Sequence, residues 1–457
     1  MESYDIVVIG GGPAGITLAK MLGQTNKMAI IRPEDHSMIY CAMPYAIEGL
    51  LAGEKTLKRD GLVTDAGAEL IRKTAANIDF DTKVVTFSDE SQIGYEKLVI
   101  ATGATPFIPP IPGSDLLGVT GFKTEDDFNR INGYLEAGLR HAVVVGAGAI
   151  GIELALALKA RGADVDLVDM ADSILPNLLD QDMSEPLCAE LARAGIRFHL
   201  KAKVTELVGS NSVEQIMLDN GQVIRFNSRD DCTDLHEDTL KGMVIFAAGM
   251  KPTISLVADS AMKVGRDGIC VNDKMETSIP DVYAVGDCTE FISGITQEVV
   301  PGKLATNAVP MAKVLGWNLL GQDRTYPGFF NGAATRIGNH FAGGTGLSET
   351  SAQRNNSESV CGHSEVTTQF PIMPEAKKMR IKLVVASDSR RLIGAQIVSG
   401  EPVTGRIDLL TFAIQKKATV DDLAQLSYSA QPYQSFYPAA NGVALAAEDA
   451  IAKLSSS

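Results

Sequence analysis

The sequence lacks the basic excess and the long apolar runs of nucleic-acid-binding and membrane-spanning proteins. Its 41 lysines and arginines are outnumbered by 56 acidic residues, and the net charge of -15 opposes binding to a polyanion. No apolar run approaches the ~20 residues that a helix needs to cross a bilayer. The first predicted strand begins near Asp5, which leaves no room for a secretory leader. We therefore expect a cytoplasmic protein that contacts neither nucleic acid nor membrane.

Paired cysteines and metal-ligand clusters are also missing. None of the six cysteines forms a C-x-x-C pair, and no group of cysteines and histidines has the spacing of a zinc site. We therefore expect no bound metal, and we expect no disulfide framework in a reducing compartment. The cysteines are Cys41, Cys188, Cys232, Cys270, Cys288 and Cys361.

A glycine-rich turn occurs twice, each time between an apolar strand and a helix. Residues 10–15 read Gly-Gly-Gly-Pro-Ala-Gly, and residues 146–151 read Gly-Ala-Gly-Ala-Ile-Gly. Such glycines let the backbone approach a pyrophosphate that rests on the N-terminus of the helix. Two turns of this kind indicate two dinucleotides in one chain, and hence electron transfer between them. The candidate binding residues are Gly10, Gly12, Pro13, Ala14 and Gly15 in the first turn and Gly146, Gly148, Ile150 and Gly151 in the second.

Acidic residues near the second turn predict that it binds NADH. In a nicotinamide site of this type, a carboxylate about 20 residues after the first glycine binds the ribose hydroxyls of adenosine. Asp169 follows the predicted strand 164–168 and lies 23 residues after Gly146. Its charge would repel the 2′-phosphate of NADPH, which makes NADPH the less favoured donor; the alternative is that Asp169 only faces water. Glu153 either lines the nicotinamide side of the site or lies on an outer face of the helix.

The first turn departs from this pattern. Where a carboxylate is expected after the second strand, the chain reads Ile31-Arg32-Pro33-Glu34-Asp35. Glu34 could bind the ribose one turn later, or Arg32 could contact ribose or phosphate instead. The residues leave both alternatives open.

Three further segments carry recognisable signatures. They are Leu-Val-Ile-Ala-Thr-Gly at 98–103, Val-Ile-Phe-Ala-Ala-Gly-Met-Lys-Pro at 244–252 and Thr-Ser-Ile-Pro-Asp-Val-Tyr-Ala-Val-Gly-Asp at 277–287. Together with the glycine turns, they resemble FAD-dependent pyridine nucleotide–disulfide oxidoreductases. In that family the final aspartate binds the ribityl chain of FAD, a role that the resemblance gives to Asp287. By the same resemblance, further cofactor-binding candidates are Ala75, Ala101, Thr102, Gly103, Gly249 and Gly286.

The resemblance implies an α/β fold with two Rossmann-like domains, which bind FAD and NADH, and a C-terminal α+β domain that forms homodimers. The FAD-binding domain is then discontinuous, at residues 1–112 and 243–325, and the NADH-binding domain at 113–242 is inserted in it. The dimerisation domain takes residues 326–457. The polar stretch 227–241 is expected to be an exposed loop.

The segment Ile39–Tyr45 contains one cysteine, Cys41, where many members of the family have a C-x-x-x-x-C pair. It resembles the subgroup of coenzyme A-disulfide reductases, NADH oxidases and NADH peroxidases, in which a single cysteine lies over the flavin. The resemblance implies that electrons pass from NADH to FAD, then to Cys41, and then to a small disulfide or persulfide. The alternative is that Cys41 is a buried thiol that acts as a small hydrophobe. Cys288, beside Asp287, is expected to be structural.

The sequence leaves the electron acceptor open. No histidine lies in the first glycine turn, where peroxidases and many oxidases of the subgroup have one, and this argues against a peroxidase. Tyr428-Ser-Ala-Gln-Pro-Tyr433 resembles the Tyr-Ala-Pro-Pro-Tyr motif of coenzyme A-disulfide reductases, whose first tyrosine reaches the thiol site of the partner subunit. A phenol there could protonate a leaving thiol, or both tyrosines could only pack a dimer interface. Phe370 stands where those reductases have another tyrosine, so a persulfide is nearly as well supported as coenzyme A disulfide.

Two other functions fit the same residues. One is an NADH oxidase that delivers electrons to oxygen, with Cys41 protecting or tuning the flavin. The other is a flavin-binding redox sensor with little turnover. Oxygen consumption that matches NADH loss would favour the oxidase, and redox-dependent association with another protein would favour the sensor.

Overall fold

The structure is a computed structural model of the chain, and it describes residues 1–226, 242–303 and 305–456. The predicted loop 227–241, with Cys232 inside it, lies outside the described residues. Within the described ranges, no helix is both long enough and apolar enough to span a bilayer. Three large sheets organise the chain, and we call the elements around them the first, second and third modules.

The first module begins with a parallel βαβ unit, as predicted. Strand β1 pairs in parallel with β2 and β8, and β2 pairs with β5. Val7 and Val8 are fully buried, because both faces of the sheet are covered, and this explains why the strand is apolar without alternation. The elements are β1 Glu2–Ile9, α1 Pro13–Leu22, β2 Met28–Ile31, β3 Ser37–Met38, α2 Met43–Glu48, β4 Leu57–Lys58, α3 Gly61–Thr64, β5 Glu69–Ile71, β6 Ala75–Asp79, β7 Val84–Phe87, β8 Gln92–Ile100 and β9 Ala104–Pro106.

The second module repeats the parallel pattern. Its elements are β10 Val119–Gly121, α4 Glu125–Glu136, β11 His141–Val145, α5 Ala149–Ala160, β12 Asp164–Val168, α6 Gln181–Arg193, β13 Ile196–His199, β14 Val204–Val208, β15 Gln215–Leu218, β16 Val223–Arg225, β17 Met243–Phe246 and β18 Met250–Pro252. The main sheet has the order β10-β17-β11-β12-β13, and β14 to β16 form a small antiparallel sheet beside it.

Strand β17 corrects one predicted limit. The sequence-based boundary at residue 243 assigns this strand to the FAD-binding domain, but β17 pairs with β10 and β11 of the second sheet. Val244 and Ile245 are fully buried there, and the pairing supplies the backbone hydrogen bonds that a buried strand needs. The chain leaves the second module only after Phe246, where β18 pairs with β9 as a two-stranded connection.

The remaining elements complete the first sheet and build the third. Strand β19 returns to pair in parallel with β8, so the first sheet takes strands from both sides of the second module. The third sheet is antiparallel, in the order β22-β23-β26-β25-β24, and the predicted α+β class of this part is confirmed. The elements are β19 Val282–Ala284, β20 Phe291–Ile292, β21 Val299–Val300, α7 Ala305–Leu319, β22 Ala333–Ile337, β23 His340–Gly346, α8 Glu349–Arg354, β24 Ser359–Thr367, β25 Lys378–Ala386, β26 Leu392–Ser399, α9 Thr404–Gln415, α10 Val420–Ala424 and α11 Gly442–Ser456.

One apolar core joins all three modules around α2. Met43 and Ile47 of α2 are fully buried in the same cluster as Leu154 of α5 and Ile337 of β22. Arg161, at the end of α5, donates a hydrogen bond to the Ile47 carbonyl (2.9 Å), which satisfies an orphan acceptor near the end of α2. The short helix that follows Cys41 is therefore fixed by contacts from every module.

A buried lysine also ties the second module to the third. Lys382 of β25 is 2% exposed, and its ammonium lies 3.1 Å from Asp180, 3.0 Å from Asp182 and 2.7 Å from Glu349. Lysine is rarely buried unless it is paired, and here carboxylates of both modules supply the pairing. The contact anchors the start of α6 against the third sheet.

A second buried charge cluster lies within the second module. Asp166 of β12 is 2% exposed and accepts hydrogen bonds from His199 (2.7 Å) and Arg197 (2.7 Å), with His141 also in contact. Burial raises the pKa of Asp166, but the hydrogen bonds outweigh this and hold the pKa far below its ordinary value. The same hydrogen bond to Asp166 raises the pKa of His199. One carboxylate thus connects the three strands β11, β12 and β13 through hydrogen bonds.

We expect Asp166→Asn to lower the free energy of unfolding by about 3 kcal/mol, because it removes the buried charge that pairs with Arg197 and His199. The stabilisation from the raised His199 pKa is complete below the unfolded histidine value near 6.5 and is lost as the pH rises through the folded pKa. The difference between wild type and variant, measured by denaturant unfolding, should therefore shrink from pH 6 to pH 9.

The matched control is Asp164→Asn on the same strand, because Asp164 is exposed and its ion pair with Lys159 (3.2 Å) contributes little. Equal loss of stability in the two variants, or a difference that grows with pH, would contradict the role given to Asp166.

Candidate functional site

The first glycine turn is shaped for close backbone approach. Gly10 has φ +128°, and a Cβ there would strike the Ala101 carbonyl; a Cβ at Gly15 would strike the Gly10 carbonyl. By contrast, a Cβ at Gly12 would meet no protein atom within 4 Å. Helix α1 starts at Pro13 without a side-chain cap, so its first N–H groups are available to an anion. The turn therefore packs tightly against the protein at Gly10 and Gly15 and is open to solvent or a ligand at Gly12.

The second glycine turn has the same construction. Gly146 has φ +116° and packs against the backbone at Ala247, and Gly151 packs against the Gly146 carbonyl. Gly148 faces open space and precedes α5, whose start also lacks a side-chain cap. Ile150 lies in the first turn of that helix. Both predicted turns thus present a helix N-terminus beside an open glycine.

Asp169 lies at the second turn, as the sequence spacing predicts. One carboxylate oxygen accepts a hydrogen bond from the Ala147 N–H (2.6 Å) and the other from the Ala171 N–H (2.8 Å). These two contacts fix the carboxylate against the glycine loop. The interpretation of Asp169 as a residue that only faces water is therefore not favoured by its contacts.

Arg32 uses its guanidinium within the protein. The side chain is 4% exposed and pairs with Asp60 (2.8 Å). It also donates to the backbone carbonyls of Glu34 (2.9 Å) and Asp35 (2.8 Å), while its methylenes pack on Gly11. Arg32 therefore stabilises the turn after β2 and packs against Gly11 of the glycine loop. The predicted ligand contact of Arg32 or Glu34 stays a prediction.

The signature segments meet beside the first glycine turn. Thr102 donates its hydroxyl to the Thr253 carbonyl (2.6 Å), and the Gly103 carbonyl accepts from the Thr253 N–H (2.9 Å). The segment 98–103 is therefore hydrogen-bonded to the residue that follows β18. Gly103 and Gly249 both have positive φ and face open space. Ala75 is the first residue of β6, on the edge strand of the first sheet.

Two buried polar atoms beside these turns have no hydrogen-bond partner among the described residues. They are Oδ1 of Asp287 and Nδ2 of Asn307. A Cβ on Gly286 would touch Ala308 and Ala14, which places Asp287, the start of α7 and the first glycine turn together. Buried polar groups are nearly always bonded, so an unpartnered acceptor and an unpartnered donor in this part of the structure fit a ligand with both kinds of group, as the flavin half of FAD has.

Cys41 is exposed, which contradicts its interpretation as a buried hydrophobe. It lies in the single turn Tyr40–Ala42, directly before α2. The antiparallel pair of strands β3 and β4 fixes the base of this turn. The Ile39 N–H donates to the Thr56 carbonyl (2.7 Å), and the Lys58 ammonium donates to the Met38 carbonyl (3.0 Å). Burial lowers the pKa of Lys58, and the charge of Cys41 opposes that change, so the ammonium lies within electrostatic reach of the thiol.

Cys288 is different. It is fully buried, and its thiol donates to the carbonyls of Ile100 and Val285 at 3.4 Å. Burial raises the pKa of Cys288, as expected for a structural thiol rather than a nucleophile.

Glu153 connects the three modules at α2. One of its carboxylate oxygens accepts hydrogen bonds from Tyr45 of α2 (3.2 Å) and Thr335 of β22 (2.7 Å). Burial raises the pKa of Glu153, opposed by these two hydrogen bonds, and burial together with Glu153 raises the pKa of Tyr45 to about 12. Glu153 is therefore not a solvent-facing helix acid. It contacts Tyr45, which lies four residues after Cys41 in the sequence.

The C-terminal tyrosines lie on an exposed surface of the third module. Tyr428 is 43% exposed and donates to the Pro438 carbonyl (2.6 Å), and Tyr433 is 59% exposed. The ring of Phe370 stacks edge-on against Tyr437 at 5.3 Å. Sequence reasoning did not select Tyr437, whose phenol is 48% exposed and lies next to the phenylalanine that replaces an expected tyrosine.

Two family descriptions match the chain. Residues 4–312 match the pyridine nucleotide-disulphide oxidoreductase family, and residues 337–438 match the dimerisation domain of pyridine nucleotide-disulphide oxidoreductases. The chain belongs to this family, whose members are NAD(P)H-dependent flavin oxidoreductases. The resemblance, the fold class and the enzyme class predicted from the sequence are confirmed.

Similar proteins carry two kinds of name. An NADH oxidase of Methanocaldococcus jannaschii is 36% identical, over 98% of this chain and 99% of the relative. A CoA-dependent NAD(P)H sulfur oxidoreductase of Pyrococcus furiosus is 28% identical, over 93% and 94%. The solved structure of an NAD-dependent persulfide reductase from A. fulgidus has a TM-score of 0.89 and 28% identity, covering 99% of this chain and 83% of that one. The predicted reductase and its oxidase alternative match these two kinds.

The open glycines allow a test that separates binding from folding. Gly12→Ala adds a methyl group where no protein atom lies within 4 Å and where φ is −76°, so we expect a folded protein. Its affinity for flavin should fall about tenfold or more, equivalent to about 1.4 kcal/mol, because the methyl group occupies the path of the pyrophosphate. Gly148→Ala should instead weaken NADH binding and keep flavin.

Bound flavin per chain after desalting and the NADH dependence of flavin reduction measure the two effects, and each variant serves as the control for the other. Loss of flavin from Gly148→Ala together with full flavin in Gly12→Ala would reverse the assignment of the two turns.

Proposed function

We propose that this chain is an NADH-dependent, FAD-containing cytoplasmic reductase that reduces a small disulfide or persulfide at Cys41. The observation that carries the proposal is the exposed Cys41 thiol at the start of α2. It is adjacent to Tyr40, whose ring lies beside the ion pair of Lys123 and Asp287. Cys41 is thus accessible to a soluble acceptor, and its neighbour Tyr40 links it to the Lys123–Asp287 pair.

The cofactor assignment rests on the glycine turns and the unpartnered polar atoms. Gly12 and the N-terminus of α1 suit the pyrophosphate of FAD, and Asp287 with Asn307 suits the polar groups of its flavin half. At the second turn, the carboxylate of Asp169 favours NADH over NADPH. Bound flavin supplies a two-electron relay between hydride donor and sulfur.

Cys41 can carry the sulfur chemistry with balanced atoms and electrons. Its thiolate attacks one sulfur of R–S–S–R, so that a Cys41–S–S–R bond forms, the original S–S bond breaks and a thiolate leaves to take up a proton. Two electrons from NADH then cleave the mixed disulfide and release the second thiol. The sum is RSSR + NADH + H⁺ → 2 RSH + NAD⁺.

We further propose that the partner subunit of a homodimer completes the acceptor site. Exposed apolar patches mark contact surfaces, and the match to a dimerisation domain supports a symmetric pair. The exposed residues of the third module include Leu409, Phe412, Tyr428, Tyr433, Tyr437 and Leu445. Tyr428 and Tyr433 would then reach the Cys41 site of the other chain. The CoA dependence in the name of the Pyrococcus relative supports a coenzyme A thiol as substrate or carrier.

The second candidate is an NADH oxidase that uses oxygen. It is favoured by the name of the Methanocaldococcus relative, which is 36% identical. In this function Cys41 protects or tunes the flavin, and NADH consumption does not depend on an added disulfide.

Cys41→Ser should keep bound flavin and its reduction by NADH, but lose turnover of coenzyme A disulfide by roughly 10³-fold or more, because the nucleophile is removed. NADH oxidation and thiol release measure turnover, and an oxygen electrode measures oxidase activity. Cys270→Ser is the matched control, since Cys270 contacts Glu290 and has no part in the proposed exchange. Unchanged disulfide turnover in Cys41→Ser would refute the reductase, and NADH loss matched by oxygen uptake in wild type would establish the oxidase.

Tyr428→Phe should slow disulfide turnover by about 10²-fold, the usual effect of removing a general acid. The contribution across the dimer can be measured by mixing Cys41→Ser and Tyr428→Phe subunits. Random reassortment puts half of the chains in mixed dimers, each with one complete site, so about a quarter of wild-type activity should return.

No recovery on mixing would mean that Tyr428 acts within its own chain. A Tyr428→Phe variant with full activity would leave Tyr428 with packing alone.

A further inference from the structure

Lys123 reaches from the second module into the proposed flavin site. Lys123 lies two residues after the end of β10, and it is 8% exposed. Its ammonium lies 3.4 Å from Oδ2 of Asp287, 3.2 Å from the sulfur of Met250 and 5.4 Å from the ring centre of Tyr40. One buried cation therefore contacts the flavin-site carboxylate and the residue next to Cys41.

The backbone around Lys123 is held firmly. The N–H groups of Lys123 and Thr124 both donate to the carboxylate of Asp127 (2.9 Å each), and Thr120 donates to the other oxygen (3.0 Å). Thr124 and Asp127 also form a capping box at the start of α4, which fixes the direction in which the chain enters the helix. The lysine is thus presented to Asp287 by a rigid turn.

Burial of an ammonium is unfavourable unless it is compensated. Burial lowers the pKa of Lys123, and Asp287 opposes that change. The nearby partners are one carboxylate, one thioether and one aromatic face, and the last two attract a cation only weakly. The buried ammonium of Lys123 therefore depends on the charge of Asp287.

We propose that Lys123 is a positioning residue for the flavin: it neutralises Asp287, turns the free Oδ1 of that carboxylate toward the cofactor, and so favours the reduced state of the flavin. The proposal rests on the proposed function, since it assumes a flavin at Asp287. Without Lys123, the ion pair would be lost and only Lys303, which also interacts with Asp287, would oppose its charge. The remaining negative charge beside the cofactor would disfavour the addition of electrons. Because Lys123 belongs to the second module, it also couples the two nucleotide-binding modules electrostatically.

The test compares Lys123→Met, which removes the charge at similar length, with Lys123→Arg, which keeps it. The dissociation constant of FAD is measured by titrating the flavin-free protein. The ratio of reduced to oxidised flavin is measured at equilibrium with a reference dye, with no disulfide present. We expect Lys123→Met to raise the dissociation constant and to lower the ratio, each by about tenfold, consistent with loss of one charged contact. Lys123→Arg should stay within about threefold of wild type in both.

The double variant Lys123→Met/Asp287→Asn distinguishes charge from packing. At saturating FAD, it should regain most of the lost reduction ratio, because both charges are gone. Lys251→Met is the control for removing a nearby exposed lysine, and it should change neither quantity. If Lys123→Met does not fold, Lys123→Gln carries the same expectations.

Wild-type affinity and ratio in Lys123→Met would overturn the proposal, and so would an arginine variant as impaired as the methionine variant, or a double variant that recovers nothing. These outcomes are separate from a failure of the proposed function. That would show as a wild-type protein that binds no FAD, or as disulfide turnover that survives Cys41→Ser.

Discussion

The packing of α2 between the three modules is the constraint on which the rest of the site depends. Cys41 lies in a single exposed turn, and one turn cannot fix a side chain by its own hydrogen bonds. Its position comes from Met43 and Ile47, which are fully buried against the second and third modules, and from Tyr45, whose hydroxyl bonds Glu153. The end of the segment that carries Cys41 is exposed, while the opposite end is held in a close-packed core.

The two glycine turns position their sites with backbone geometry rather than with side-chain packing. Each uses a positive-φ glycine to bring the strand close to a neighbouring carbonyl, and each leaves an uncapped helix start beside an open glycine. Charge distinguishes them. Asp169 binds the loop of the second turn, whereas in the first module Asp287 keeps one oxygen unpartnered and is balanced by a lysine from its neighbour. The same motif thus serves two sites with different electrostatic surroundings.

Local patterns predicted the parts of the structure that depend on neighbouring residues. The glycine turns, their strands and the place of Asp169 follow from short-range backbone geometry, so the sequence was sufficient there. The domain limit at residue 243 placed β17 in the FAD-binding domain, because an apolar run does not show which partner strands it meets. Lys123 was missed for a related reason: it is distant in sequence from Asp287, and only the folded chain shows the ion pair between them.

The return of β19 to β8 has a consequence for synthesis on the ribosome. Every strand of the second sheet, from β10 to β17, lies between β8 and β19 in the chain, so the nascent chain can complete that sheet while the first still lacks its last strand. Domains generally fold as units during translation. The inserted module would then be folded before the first sheet is complete, and β19 could pair with β8 only once residues near 284 have left the exit tunnel.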